Sequence, residues 1–414
     1  MRDVLVIGAG IVGVSVALHL RRRGLDVLLA DRGRPGHGTS FGNSGIIQRE
    51  AVAPYAFPRA PLDLLAALAR RGVDISYHPS ALPATAGALL RYWWHSAPAR
   101  HRRITAVYAT LIAQSLAEHA PLVELAGAGD LVRKAGWLDA YRTPRRLAEA
   151  AARAEANARS YGVLSEAIDG AELARREPHL MEPMAGAIHW SDTWTIRDPA
   201  ALVEAYAGAF EGLGGARATG EATGLAPRGA GWRLAVDGRE ESAEAVVVAA
   251  GPWSDGITRG LGYRLPLFVK RGYHMHYGTD PDRPLGNWLA DLETGYLMAP
   301  MRAGIRLTTG AELARQTAPA TPRQLAGAEK VARRLFPLGL RLDPAPWLGS
   351  RPCTVDMLPV IGPAPKHDKL WFAFGHGHQG LTLGPATGRL LAELMTGEKP
   401  YVDPAPFAAT RFRA

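Results

Sequence analysis

The alternation of apolar and polar positions marks out the architecture before any chemistry is considered. A short apolar run, Val4 to Ile7, passes into Gly8-x-Gly10-x-x-Gly13 and then into an alanine- and leucine-rich pattern through Leu20. That order predicts a strand, a tight turn and a helix start. A second apolar run, Val27 to Ala30, ends in Asp31. From residue 60 to 127 the chain is rich in Ala, Leu and Arg and is broken by Pro61, Pro79, Pro83, Pro98 and Pro121. Several helices are expected there, Ile104 to Leu116 the clearest, with Trp93 and Trp94 as packing residues. Arg145 to Tyr161 reads as another helix, stopped by Gly162.

From Ala185 the pattern shortens. Gly186 to Trp190 reads as a strand, and Asp198 caps a helix that starts at Pro199 and runs through Leu213. The runs Gly231 to Val236 and Ala243 to Ala249 flank Asp237-Gly238, a hairpin signal. Ala245 to Ala249 is wholly apolar, as a strand buried on both faces of a parallel sheet would be. Leu267 to Tyr277, Gly295 to Pro300 and Gly304 to Thr309 suggest an antiparallel sheet, followed by a helix from Thr321 to Phe336. At the end, a strand from Lys369 to Phe374, the turn Gly375-His-Gly-His-Gln-Gly380 and a helix from Leu383 to Met395, stopped by Gly397, repeat the opening order. No fixed-period repeat is present.

Composition adds bounds. The 414 residues exceed one core and suggest about two to three domains. The net charge of +9 comes from arginine scattered along helices, with clusters at Arg21 to Arg23, Arg70-Arg71 and Arg100 to Arg103. It reads as a solvated basic surface. No cluster is interleaved with stacking aromatics, so nucleic acid is not expected, while contact with an anionic membrane surface stays open. Cys353 is the single cysteine, which excludes an intrachain disulfide and a cysteine-based metal site. The N-terminal run is too short to span a bilayer and lacks a cleavage site. A cytoplasmic protein is expected, with peripheral contact at the inner face of the membrane left open.

The glycine turn has a mechanical reading. Gly8 permits the sharp turn, Gly10 admits a pyrophosphate close to the backbone, and Gly13 lets the helix pack on the strand. Asp31 stands about 20 residues on, where an acid reaches a ribose hydroxyl. Phosphates would sit on the helix N-terminus. This much leaves NAD and FAD both open. The loop from Arg32 to Gly45, with Gly38-Thr-Ser-Phe-Gly-Asn-Ser-Gly45, suits close passage beside a phosphate chain or a flat ring.

Four separated stretches then carry a resemblance over nearly the whole chain: Val6 to Gly13, Gly38 to Gly45, Val246 to Ser254, and Arg351-Pro to Thr382. Together they resemble the FAD-dependent D-amino-acid oxidases and dehydrogenases, a family that includes glycine and sarcosine oxidases. Gly38 to Gly45 and Glu177-Pro178-x-Leu180 look most like bacterial D-amino-acid dehydrogenases. The resemblance implies an α/β and α+β fold: a Rossmann-like FAD-binding domain (1-50, 199-260 and 349-414) and a substrate domain built on an antiparallel sheet plus helices (51-198 and 261-348). It implies non-covalent FAD. Gly8, Ala9, Gly10, Ile11, Val12, Gly13, Asp31 and Arg32 would hold the ADP half. Thr39, Ser40, Asn43, Ser44, Gly45 and Ile46 would run along the pyrophosphate and flavin. Ala222, Ala250, Gly251 and Trp253 would lie near the adenosine, and Gly375, His376, Gly377, Gly380, Leu381 and Thr382 would meet the flavin.

The resemblance also implies that Arg351 binds the amino-acid carboxylate, its guanidinium fork matching two oxygens and fixing the Cα–H over the ring. Tyr296 matches a pocket tyrosine, and His378 stands where relatives carry a pocket-lining side chain. His274 and His276 share one strand face and are candidates for the same pocket. No acidic partner stands at ligand spacing from these histidines, so no metal is expected. Sarcosine oxidases attach their flavin to a cysteine at the place of Gly349 here, which argues against a covalent bond and leaves Cys353 as a packing residue. The implied reaction is oxidative deamination of a D-amino acid. Hydride passes from Cα to flavin N5, and the imine hydrolyses to a 2-oxo acid and ammonia. O2, a quinone and a redox partner are all open as acceptors. The alternatives are a secondary-amine enzyme (sarcosine, glycine, D-proline or hydroxyproline) and, from other classes, a tRNA- or membrane-docking flavoprotein or a non-catalytic nucleotide-binding module.

Overall fold

In the computed structural model of the chain, residues 1–59, 75–77 and 82–412 are described. The glycine turn folds as its spacing dictates. Strand Arg2–Ile7 ends at Gly8, which adopts φ +112°, and helix Ile11–Arg21 follows. A Cβ at Gly8 would lie 2.5 Å from the Ala249 carbonyl oxygen, and one at Gly13 would lie 1.8 Å from that of Gly8. Only glycine lets strand, turn and helix approach this closely.

Arg2–Ile7 lies in an eight-stranded sheet between Val27–Asp31 and Arg239–Val248, with both pairings parallel. Arg239–Val248 explains its own sequence. Its polar first half forms a hairpin with Gly231–Val236, and its apolar second half lies between Arg2–Ile7 and Leu370–Phe374. The strand begins at Arg239, earlier than Ala243, because Asp237 (φ +49°) and Gly238 (φ +77°) make the tight primed turn that keeps both arms paired. Helices Ile11–Arg21, Pro199–Gly212 and Gly380–Thr396 pack together beside this sheet. Asp198 caps the second, accepting from the Ala201 N–H at 3.1 Å.

The ten-stranded second sheet is the larger. Its strand Leu267–Tyr277 is flanked by Gly304–Thr309, Ala311–Leu313 and Trp347–Thr354. The last pairs along Leu267–His274, so this sheet runs past the boundary expected at residue 349. Register partners carry one row across the sheet: His274, Thr308, Leu297, Ala290, Asp139 and Ile188. Partners in a row share a face. The opposite face, with Tyr273, Met298 and Leu307, is covered by helix Arg323–Leu335 through Leu325, Ala328 and Leu335. The row therefore looks inward, toward the first sheet and helix Pro144–Tyr161. That helix ends at Gly162 (φ +64°), as expected.

Some expectations are corrected. The helix expected over Ile104 to Leu116 is two helices, Pro98–Ile112 and Ser115–Leu125. Pro121 lies inside the second rather than ending it, because burial of Leu122 and Val123 outweighs the local cost. Trp93 and Trp94 are not core. Trp94 is 53% exposed beneath the Arg100 guanidinium at 3.6 Å, and Trp93 lies beneath Arg59 at 3.9 Å. These are surface cation–π pairs. The C-terminal helix starts at Gly380, three residues earlier than expected. Pro61, Pro79 and Arg70-Arg71 lie outside the described residues. Among those described, no helix is long and apolar enough to cross a membrane.

Candidate active site

A cavity of about 1850 Å³ runs between the two sheets. Single small-molecule sites occupy roughly 300–1,000 Å³, so this one has room for a long cofactor and more. At one end it is lined by Gly8 to Val12, Asp31, Arg32, Ala222, Ala250, Gly251 and Trp253. Thr39, Ser40, Asn43, Ser44 and Ile46 line the middle, with Gly375, His376, Gly377, Gly380 and Leu381. Three expected cofactor residues do not line it. Gly13 packs on the Gly8 turn, and Gly45 packs on the Ile196 carbonyl. The Thr382 hydroxyl accepts from the Gln48 N–H at 3.1 Å and donates to Gln379 Oε1 at 2.7 Å.

The cradle fits a dinucleotide. Neither helix Ile11–Arg21 nor helix Gly380–Thr396 has a side-chain cap at its N-terminus, and both termini line the cavity. The Ile11 N–H of the first is taken by Ser40 Oγ at 3.1 Å. The first terminus suits a pyrophosphate, and the second suits negative charge on a ring. Asp31 braces the turn through the Ala9 N–H (2.6 Å) and the Gly33 N–H (2.9 Å), while the Arg32 guanidinium stands 4.1 Å over the Trp253 ring.

Arg351 and Lys270 are register partners on adjacent strands and share the inward face. Arg351 crosses Gly272, where a Cβ would lie 2.5 Å from its guanidinium, and donates to the Gly310 carbonyl at 3.0 Å. Burial lowers its pKa from the ordinary guanidinium value. Lys270 Nζ donates to the Tyr92 hydroxyl at 2.8 Å, and Tyr92 in turn donates to the Tyr55 carbonyl. His378 meets the Tyr55 ring edge-on at 4.9 Å. Its pKa lies well below the ordinary imidazole value, through burial first and then the charges of Arg351 and Lys270. The end of the cavity at Arg351 therefore carries two cations and a neutral histidine, and no described carboxylate pairs with Arg351. Such a site is built for an anion.

His274 and His276 are placed differently from expectation. His274 does not line the cavity: Trp347 stacks on it at 4.8 Å and Phe41 lies 5.7 Å away. Burial first, then Arg306 and His276, pushes its pKa down to about 2. His276 Nε2 accepts from Arg306 Nε at 3.0 Å, and its Nδ1–H donates to Asp343 at 2.9 Å. Tyr296 lines the cavity; it pairs with Thr309, packs in the cluster on the helix-covered face, and has Arg142 and Asp291 beside its hydroxyl. Cys353, two residues along the strand from Arg351, is buried and does not line the cavity, and burial raises its thiol pKa. Among the described residues no cluster suits a metal ion.

Lys270 was missed, although strand alternation put it on the face of His274 and His276. Tyr55 and Tyr92 come from distant segments and left no local signal. Neither did Glu50 and Asp139, two buried carboxyls that line a branch of the cavity and whose pKa values burial raises to about 7.

A profile of the family described as DAO, FAD dependent oxidoreductase, matches residues 3–394. The chain is 32% identical to a D-amino-acid oxidase of Bradyrhizobium diazoefficiens, over 99% of each chain. It is 31% identical to D-amino acid dehydrogenase 2 of Ralstonia nicotianae, over 99% of this chain and 100% of that one. In fold it is similar to glycine oxidase from Geobacillus kaustophilus, with TM-score 0.73 and 24% identity over 100% of this chain and 99% of that one. The chain belongs to the family of FAD-dependent oxidoreductases.

Proposed function

We propose that this chain oxidises D-amino acids, releasing an imine that hydrolyses to a 2-oxo acid and ammonia. The observation that carries this reading is the buried Arg351 guanidinium, with Lys270 its register partner, in a cavity with two uncapped helix N-termini. The names of the relatives at 31–32% identity supply the D configuration.

Arg351 takes the substrate carboxylate as a fork, and Lys270 adds a second positive charge beside it. A carboxylate held at this point fixes the direction of the Cα–H and of the amino group. His378, neutral beside two cations, receives the amino group without repelling it as an imidazolium would. When bound, FAD supplies the acceptor for two electrons and the Cα hydrogen. Gly8 to Val12, Asp31 and Arg32 hold its ADP half, and Thr39 to Ile46 with Gly375 to Leu381 hold the flavin half. The FAD is non-covalent. A side chain at Gly349 would collide with the Trp347 ring at 1.9 Å, and Cys353 does not line the cavity.

Product analysis tests this reading. Purified enzyme with D-alanine and an artificial electron acceptor is expected to give equal amounts of pyruvate and ammonia, and L-alanine to give neither. Turnover of sarcosine or proline without any primary D-amino acid would move the assignment to secondary amines.

A further inference from the structure

The cavity has a branch that the amino-acid site does not use. Thr308, Leu297, Ala290 and Asp139 form its floor in register order, one residue from each successive strand. Asp139 stands four strands from the Lys270 strand, roughly 19 Å at ordinary strand spacing. A small substrate held by Arg351 does not reach that far.

The branch has a built lining. Asp139 is only 9% exposed; its Oδ2 accepts from the Trp190 indole at 2.8 Å, while its Oδ1 has no hydrogen-bond partner among the described residues. Glu50 closes the inner side, with its oxygens already taken by the Trp137 indole (3.2 Å), Gln48 (2.9 Å) and Thr193. Trp137, Trp190 and Tyr141 are buried walls. On helix Pro144–Tyr161, Ala150 and Ala156 leave space, and the exposed Arg153 lies beside Asp139 and the Tyr141 hydroxyl. An unpartnered carboxylate oxygen among aromatic rings is a receptor for an organic ammonium group. A guanidinium at the solvent side is a receptor for a carboxylate.

We propose that this branch is a second binding site for an amino-acid zwitterion, with Asp139 taking the ammonium group and Arg153 the carboxylate. It is distinct from the Arg351 site and serves as a holding position between solvent and the reaction chamber.

The test uses FAD-loaded enzyme and 2-aminoisobutyrate, a zwitterion with no Cα–H to oxidise. Calorimetric titration is expected to find two equivalents bound per chain. Asp139→Asn and Arg153→Ala should each weaken one of them at least tenfold, with the rate of flavin reduction by saturating D-amino acid unchanged. Arg351→Ala should remove the other. Arg153 is a surface residue, so its variant keeps the test open if Asp139→Asn does not fold. A single equivalent, lost in Arg351→Ala and kept in both branch variants, would overturn the second site and leave the proposed reaction standing. A single equivalent lost only in the branch variants would support the second site and count against the Arg351 clamp.

Discussion

Lys270 and Arg351 stand opposite each other in strand register, two cations on one inward face of the same sheet. Burying a guanidinium with which no described carboxylate pairs is unfavourable unless an anion is to be bound there. Arg351→Ala is therefore expected to lower kcat/KM for D-amino acids at least 100-fold, about 2.7 kcal/mol, with FAD retained. Arg351→Lys should recover part of the loss, because it restores the charge without the fork. Steady-state kinetics on the flavin-loaded variants check both.

Arg306 ties the middle of the cofactor cradle to the large sheet. Its Nη1 donates to the carbonyls of Phe41 (2.8 Å) and Asn43 (2.6 Å), and Asp343 holds the His276 that receives its Nε–H. Burial lowers its pKa to about 10, so it stays charged at neutral pH. Arg306→Met should weaken FAD binding at least tenfold while Arg351→Ala leaves it unchanged. Flavin fluorescence titration of the apoprotein separates the two.

The fold and the cofactor end were far more legible in the sequence than the substrate end. Gly8 to Gly13 follow one another through strand, turn and helix, and Asp31 ends the next strand, so spacing alone carried their geometry. The hairpin at Asp237-Gly238 was legible for the same reason. The Arg351 end of the cavity is assembled from Tyr55, Tyr92, Lys270, Arg351 and His378, which come from distant segments and meet only in the folded chain. Alternation placed His274 on the correct face but could not show that Trp347, from another strand, would cover it. Tyr296 lies one residue out of phase with the inward row, a difference that only the register with Thr309 reveals.

Stability should fall with acid. His19, His119, His274 and His376 have pKa values lowered by burial from 6.5 to about 3, 4, 2 and 3. Below pH 6.5 the unfolded chain takes up protons that the folded chain refuses, so each histidine subtracts stability as pH drops toward its folded value. Glu50 and Asp139 act in the opposite sense. Their folded pKa values of about 7 exceed the ordinary 4.5 and 3.8, so they add stability as pH falls through 7. Four groups outweigh two, and Tm is expected to drop by a few °C between pH 7.5 and 5, at about 2–4 °C per kcal/mol. Thermal melts across that range check the sign. A rising Tm would contradict the buried neutral histidines.

The most direct measurement is the visible spectrum of the purified protein under anaerobic conditions as D- and L-alanine are added in turn. The account predicts a flavin absorption band that D-alanine bleaches and L-alanine leaves intact, with the bleaching lost at the same concentration in Arg351→Ala. A flavin band that no amino acid bleaches, or one bleached equally well in the Arg351 variant, would contradict it.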